Sequence, residues 1–484
     1  MSTFESGVKR KYKYLSAKER INHDCVYNLK PHATARVACS ATRWALPYAS
    51  GGGGPVLVKR VDEIGKMEPT EAPSMCVQGH KAAVHGCAFS PFDDDLLVTA
   101  SDDGAIKAFA LGDGPPSDVE GAHIGTHAGG ARDVAFHPSA EHVLLSSGAD
   151  GSCALWDVGA AKSILALPRE SAAVHTLDWS YDGSSFLAAR RDKTLRCYDA
   201  RAGKEAWRAE PHGGARAFSA VWCAGVGGCG ATVACVGGAK SGGREVVLLD
   251  PRATGAALHR RLVDTQTGEL FPIWDEDHAL LWVWGRGDAT AKYYEVDAAR
   301  ATAAEALDAG ADFRTASAPT GSVCLLPKAA CDVMALEVGA FLRASAAGTV
   351  EKVTFSVPRT DDLKTYFNDD LFSRTRARLS SMDADAWIGG EDADPVLRSS
   401  RPASNPPLLS ERVVEKKVLN TAVVNETRAN EKAAKESDDA TMDRLSALAS
   451  QYEKFNVNRS MGAKPGVDAA CIDGGEVDSD EWDD

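Results

Sequence analysis

Short apolar runs of five or six residues recur along the chain, each closed by a turn-forming pair. Cys87-Ala88-Phe89 ends in Ser90-Pro91, Val134-Ala135-Phe136 in His137-Pro138, and Leu177-Asp178-Trp179 in Ser180-Tyr181-Asp182-Gly183. β-Rich runs separated by Gly, Asp and Pro read as antiparallel strands. The runs belong to a repeat. Asp103 is followed six positions later by Phe109, Asp150 by Trp156, Asp192 by Tyr198 and Asp288 by Tyr294. The intervals between these aspartates are 47, 42 and 96 residues, so the last holds a further, degenerate unit. It is found at Val246-Val247-Leu248-Leu249-Asp250, with Gly243 in place of the aspartate.

A repeat of this length with Gly-His early and Trp-Asp late, as at Gly79-His80 and Trp156-Asp157, is the signature of a WD-repeat β-propeller. The turn aspartate accepts hydrogen bonds, the aromatic packs in the blade and the histidine links them. His80, Asp103, Asp150, Trp156, Asp157, Asp192, Tyr198 and Asp288 are therefore expected to be scaffold, and so are His127 and His175. Residues 1–355 accommodate seven blades, with the two unrecognised ones drawn from the first 75 residues and from 300–355. An N-terminal strand is expected to close the ring, because closure leaves no sheet edge exposed.

Beyond the propeller, a 356–400 extension is expected, then a linker over 401–438 after Pro402, Pro406 and Pro407. Met442, Leu445, Leu448, Ala449, Tyr452 and Phe455 fall at spacings of three and four, which predicts an amphipathic helix over 439–457. Residues 458–484 read as a disordered acidic tail.

Composition changes this picture at the ends. The net charge is −14, against a general nucleic-acid binder. Asp473 to Asp484 contain seven acidic residues and no basic one, half of that charge, whereas Lys9, Arg10, Lys11, Lys13, Lys18 and Arg20 face only Glu5 and Glu19. Such asymmetry marks interaction tails. The longest obvious apolar stretch, Ala279 to Trp284, is too short to span a membrane, and no signal core is present, so a cytosolic chain is expected. Twelve cysteines without a CxxC pair read as free thiols. Gly51–Gly54 lacks a phosphate-loop pattern, and no nucleophile elbow or metal-spaced histidine pair occurs. Neither catalysis nor a cofactor is expected.

More specific features resemble the coronin family over about residues 10–400. They are Lys11-Tyr-Lys-Tyr, Cys25, Trp44 and Gly51–Gly54 before Pro55-Val56-Leu57-Val58, with His137-Pro138, Asp178-Trp179-Ser180 and Arg191-Asp192-Lys193. In the extension they are Val357-Pro358-Arg359, Asp369-Asp370-Leu371-Phe372 and the run from Trp387 to Pro395. The resemblance implies an extension folded against the propeller, binding to filamentous actin, and regulation of branched-actin turnover with association with the cytoskeleton. The family's basic actin contact falls on Lys30, where lysine keeps the charge but lacks the arginine fork. Lys9, Arg10, Lys11 and Lys13 lie nearby as further candidate actin contacts. The alternative is a WD-repeat adaptor for vesicle trafficking or signalling without direct actin binding.

The helix has three readings. It resembles the family's short coiled coil, in which Met442, Arg444, Leu445, Leu448 and Tyr452 would oligomerise the chain, although Ala449 replaces the glutamate that should pair with an arginine. It also fits a connector helix or a docked structural helix. Asp480-Glu481-Trp482-Asp483-Asp484 resembles the acidic tail of actin-nucleation-promoting factors, which implies the actin-related protein 2/3 complex as partner. One tryptophan supplies an apolar anchor and the carboxylates supply steering.

Overall fold

The computed structural model describes residues 12–19, 25–26, 36–48, 53–68, 70–226, 232–253, 256–300, 302–315, 319–345, 348–412, 442 and 444–447. The chain divides into two units, Met1–Arg412 and Val413–Asp484. In the first, seven blades of mainly antiparallel strands form a β-propeller. Blade 1 runs from Ala38–Cys39 to Cys76–Val77 and blade 2 from Val84–Phe89 to Ala122–Thr126. Blade 3 covers Ala131–Phe136 to Lys162–Ala166, and blade 4 covers Val174–Trp179 to Glu205–Ala209. Blade 5 extends from Ser219–Cys223 to Ala256–Asp264, and blade 6 from Leu270–Asp275 to Leu307–Ala309. The first strand of each blade packs on the first strand of its neighbour, so these strands encircle a central channel. The degenerate unit is blade 5. Its third strand, Arg244–Asp250, follows Gly243, which adopts a left-handed φ of 80° that glycine tolerates.

The seventh blade takes residues from both ends of the propeller. Thr320–Leu325, Glu337–Ser345 and Thr349–Ser356 are its C-terminal strands. Ser16–Glu19 and Cys25–Val26 both pair antiparallel with Thr349–Ser356, in the registers Ser16↔Ser356 and Cys25↔Val350. The N-terminal strand thus supplies the backbone partners that the last strand would otherwise lack.

The core lies between blades. Middle strands such as Val143–Gly148 and Leu280–Gly285 are buried along their whole length, because each is covered by a neighbouring blade on both faces. The short apolar run that is too brief for a membrane is this second strand of blade 6. Trp282 and Trp284 pack there against Phe341 and Phe355 of blade 7, with ring centroids 4.5–6.4 Å apart. Outer strands are half exposed, as in the alternation along Glu205–Ala209.

The segment after Ser356 folds back over one end of the channel. Its two strands, Arg374–Arg376 and Leu397–Ser399, pair with each other, and a short helix, Ala384–Ile388, is N-capped by Asp383 accepting from the Ala386 amide at 2.8 Å. In the second unit, residues 442 and 444–447 are helical, with Met442 68% and Leu445 58% exposed. No described helix is long and apolar enough to cross a membrane.

Candidate functional site

The repeat residues form hydrogen-bonded devices at the blade ends. In blade 2, His80 Nδ1 lies 3.1 Å from Asp103 Oδ2 and Nε2 lies 2.7 Å from Thr99 Oγ1. In blade 3, His127 Nε2 lies 2.7 Å from Ser146 Oγ, to which Trp156 Nε1 donates at 2.7 Å. On the other ring nitrogen, Ser152 Oγ lies 2.8 Å from His127 Nδ1 and donates to Asp150 at 2.6 Å. Burial pushes the pKa of His80 and His127 down, so both are neutral links. Burial raises Asp103 and Asp150, but hydrogen-bond donors outweigh it and hold both below the usual carboxylate range.

The other blades vary the device. In blade 4, Asp192 accepts from the Thr194 amide and hydroxyl, and Arg190 donates to Tyr198. Asp288 of blade 6 binds Arg244 of blade 5 at 2.6 Å, tying the two blades together. Asp157 closes a turn by accepting from the Ala160 amide at 3.0 Å.

His175 departs from expectation. It does not occupy the place of His80 and His127, which precede Phe89 and Phe136 by nine residues; it precedes Trp179 by four. That offset belongs to His85 and Arg132, and all three line the central channel. The repeated offset was the signal available in the sequence, and it is easily mistaken for the other histidine position. Arg36, Arg191 and Arg286 join the same lining from three further places in the chain.

Of the candidate actin contacts, Lys13 is described; Lys9, Arg10, Lys11 and Lys30 lie outside the described residues. Tyr12 is buried, its amide donating to Glu295 at 2.9 Å and its ring meeting His278 edge-on at 5.5 Å. The Lys13 carbonyl accepts from the Ala311 amide at 3.1 Å. This anchorage leaves Lys13 exposed, with its Nζ 5.2 Å from the Tyr14 ring centroid, and Tyr14 itself 64% exposed. Met442, Arg444 and Leu445 are in the described helix, whereas Leu448, Tyr452, Asp480, Glu481, Trp482, Asp483 and Asp484 lie outside the described residues.

The extension is held through named side chains at the far end of the channel. Trp387, 2% exposed, meets the His137 and Trp179 rings at 5.2 and 6.4 Å. The Arg201 guanidinium stacks over Trp387 at 5.1 Å and donates to its carbonyl at 2.8 Å and to Asp392 at 2.7 Å. Arg376 crosses beneath the channel: it donates to Glu276 of blade 6 at 2.6 Å and to the Pro138 carbonyl in the turn after the first strand of blade 3 at 3.0 Å, and lies over the Tyr181 ring of the blade 4 loop. Phe372 meets His278 edge-on at 5.7 Å, so the extension and the N-terminal segment share one anchoring histidine.

Seven blades of four to six strands, the last closed by the N-terminal strand, with His–Asp and Trp devices at their turns, define a WD-repeat β-propeller. Residues 72–109, 121–157 and 162–199 match the family described as WD domain, G-beta repeat, and residues 350–395 match a further type of WD40 repeat. Over most of its length the chain is similar to coronins. It is 27% identical to human Coronin-2A over 410 residues, covering 81% of this chain and 72% of that protein. It is 28% identical to Coronin-A of Dictyostelium discoideum over 392 residues, covering 80% and 84%. With the Coronin-like protein of Saccharomyces cerevisiae it shares 28% identity and spans 54% of that longer protein. The crystal structure of the WD40 domain from Toxoplasma gondii coronin superposes with a TM-score of 0.72 at 25% identity, over 81% of this chain and 98% of that one.

Proposed function

We propose that this chain binds actin filaments and regulates branched-actin turnover through the actin-related protein 2/3 complex. The observation that carries the reading is the coronin likeness, which extends past the propeller through the extension and covers 81% of the chain. The buried Tyr12 supports it locally, because it fixes the basic N-terminal segment to the propeller and presents Lys13 and Tyr14 outward. Lys9, Arg10, Lys11, Lys13 and Lys30 form the basic side of the filament contact, since an acidic filament needs a local basic patch whatever the net charge. Asp480–Asp484, with Trp482 as anchor, engage the nucleator complex. Residues 439–457, whose apolar spacing predicts a helix, oligomerise the chain through Met442, Arg444, Leu445, Leu448 and Tyr452.

Co-sedimentation with actin filaments tests the first part. Pelleting is expected at low salt, weakening as salt rises, and Lys30→Glu is expected to weaken it further. No pelleting at low salt would overturn the reading and leave an adaptor without actin contact. Trp482→Ala is expected to abolish nucleator-complex binding while filament pelleting persists. A monomeric mass at micromolar concentration would overturn the oligomerisation.

A further inference from the structure

The channel end opposite the extension is lined by basic groups that the fold aims there by a repeated device. The first strands of blades 2, 3 and 4 each skip one residue in register with their neighbour. The skipped residues are His85 between Val84 and Gly86, Arg132 between Ala131 and Asp133, and His175 between Val174 and Thr176. A β-bulge re-aims the extra side chain. Here the three extra side chains are His, Arg and His, and with Arg36, Arg191 and Arg286 they line one cavity of about 80 Å³.

Three carboxylates oppose these six groups. Asp102 Oδ1 lies 3.0 Å from Arg132 Nη2, and its Oδ2 lies 2.7 Å from His85. Glu269 is shared by Arg286 at 3.0 Å and His175 at 3.1 Å. Asp133 reaches Arg36 only at 3.5 Å. Arg191 is exposed, and its side chain has no hydrogen-bond or ion-pair partner among the described residues. Burial alone would raise Glu269, yet the His175 hydrogen bond and the Arg286, His175 and Arg36 charges hold it down to about 2. The local field is therefore positive in a chain whose net charge is negative.

The cavity is of the size of a single tetrahedral oxyanion. It shares His175, Arg191 and Glu269 with a wider cavity of about 390 Å³ between blades 4, 5 and 6. One wall of that wider space is formed by Gly214, Gly237, Gly238, Gly242 and Gly243, so it lacks side chains that would fill it. Guanidinium forks bind phosphoryl oxygens in pairs, which ammonium groups do not.

We propose that this end of the channel binds a phosphoryl group, held by Arg36, Arg132 and Arg191, with the organic remainder of the phosphate ester in the glycine-walled space. Calorimetric titration of the full chain with inorganic pyrophosphate tests the site, together with pelleting on phosphatidylcholine vesicles containing a phosphatidylinositol phosphate. One pyrophosphate per chain is expected. Arg191→Gln is expected to weaken binding about tenfold, and the Arg36→Gln/Arg191→Gln pair about a hundredfold, as for charge-assisted bonds lost from a partly buried site. Arg60→Gln, an exposed arginine of blade 1 outside the cavity, is expected to leave the affinity unchanged. Vesicle pelleting that requires Arg36 and Arg191 would identify a lipid headgroup as the source, and pyrophosphate binding without vesicle pelleting would identify a soluble ester. Absence of both, or binding undiminished in the double variant, would overturn the proposal.

Discussion

The two ends of the channel are built from the same seven inner strands and have opposite chemistry. At the extension end, aromatic rings and two arginines, Arg201 and Arg376, are consumed in holding the chain to itself: each guanidinium stacks on a ring and donates to carbonyl or carboxylate groups. At the other end, arginines outnumber the carboxylates they face, and Arg191 is unpartnered among the described residues. A guanidinium stacked on a ring and hydrogen-bonded to carbonyl and carboxylate groups contributes to stability. An exposed arginine such as Arg191, held by no such contact among the described residues, contributes little to folding and can meet an external anion. The difference follows from what covers each end: the extension covers one, and no described residue beyond the blades' own loops covers the other.

The largest effect that would test this contrast is expected at Trp387. Trp387→Ala removes a fully buried aromatic from between His137, Trp179 and Arg201, and is expected to cost about 3–5 kcal/mol of stability in denaturant unfolding. The extension should become sensitive to limited proteolysis at the same time. A loss below about 1 kcal/mol would mean that the extension does not close this end.

Acid should act on the same end. Burial pushes His137 from 6.5 down to about 4. Between those values the unfolded chain takes up a proton that the folded chain does not, so stability is complete above pH 6.5 and falls as the pH is lowered towards 4. The expected loss is about 3 kcal/mol. His80, His127 and His212, also lowered by burial, add to it in the same direction. The His137 share is the part of the slope that vanishes in His137→Asn, read from unfolding midpoints across that range.

Two smaller effects belong to the other end. Lys193 adopts a φ of 72° in a turn where blades 2 and 3 place Gly104 and Gly151. Lys193→Gly relieves that strain and is expected to stabilise by about 0.5–1 kcal/mol, measured by denaturant midpoint. Arg132 is 37% exposed in its ion pair with Asp102, so Arg132→Gln is expected to change stability by less than about 0.5 kcal/mol. A large destabilisation there would erase the distinction between the two ends.

Much of the architecture was legible from short-range pattern. The Asp-to-aromatic spacing of six located blades 2, 3, 4 and 6, and Gly243 marked blade 5, because a blade turn and the strand after it are local features. The seven-bladed ring and its closure by an N-terminal strand followed from counting units and from the need to pair the last edge, and the structure places that strand at Ser16–Glu19. The motif from Trp387 to Pro395 announced an extension, but not that Trp387 would meet Arg201, 186 positions earlier.

The channel lining was read least well, and His175 shows why. A bulge adds one residue to a strand, so two histidines at different heights in two blades look alike when only the repeat length is counted. Which residues stand at one level around the channel depends on strand register in every blade at once. The sequence by itself determined the strands, the turns, the repeat count and the position of the aromatic anchors, since each depends on neighbours a few residues apart. Only the tertiary structure decided that Arg36, His85, Arg132, His175, Arg191 and Arg286 face a common space. That convergence is set by seven blades meeting at one axis, and no single repeat contains it.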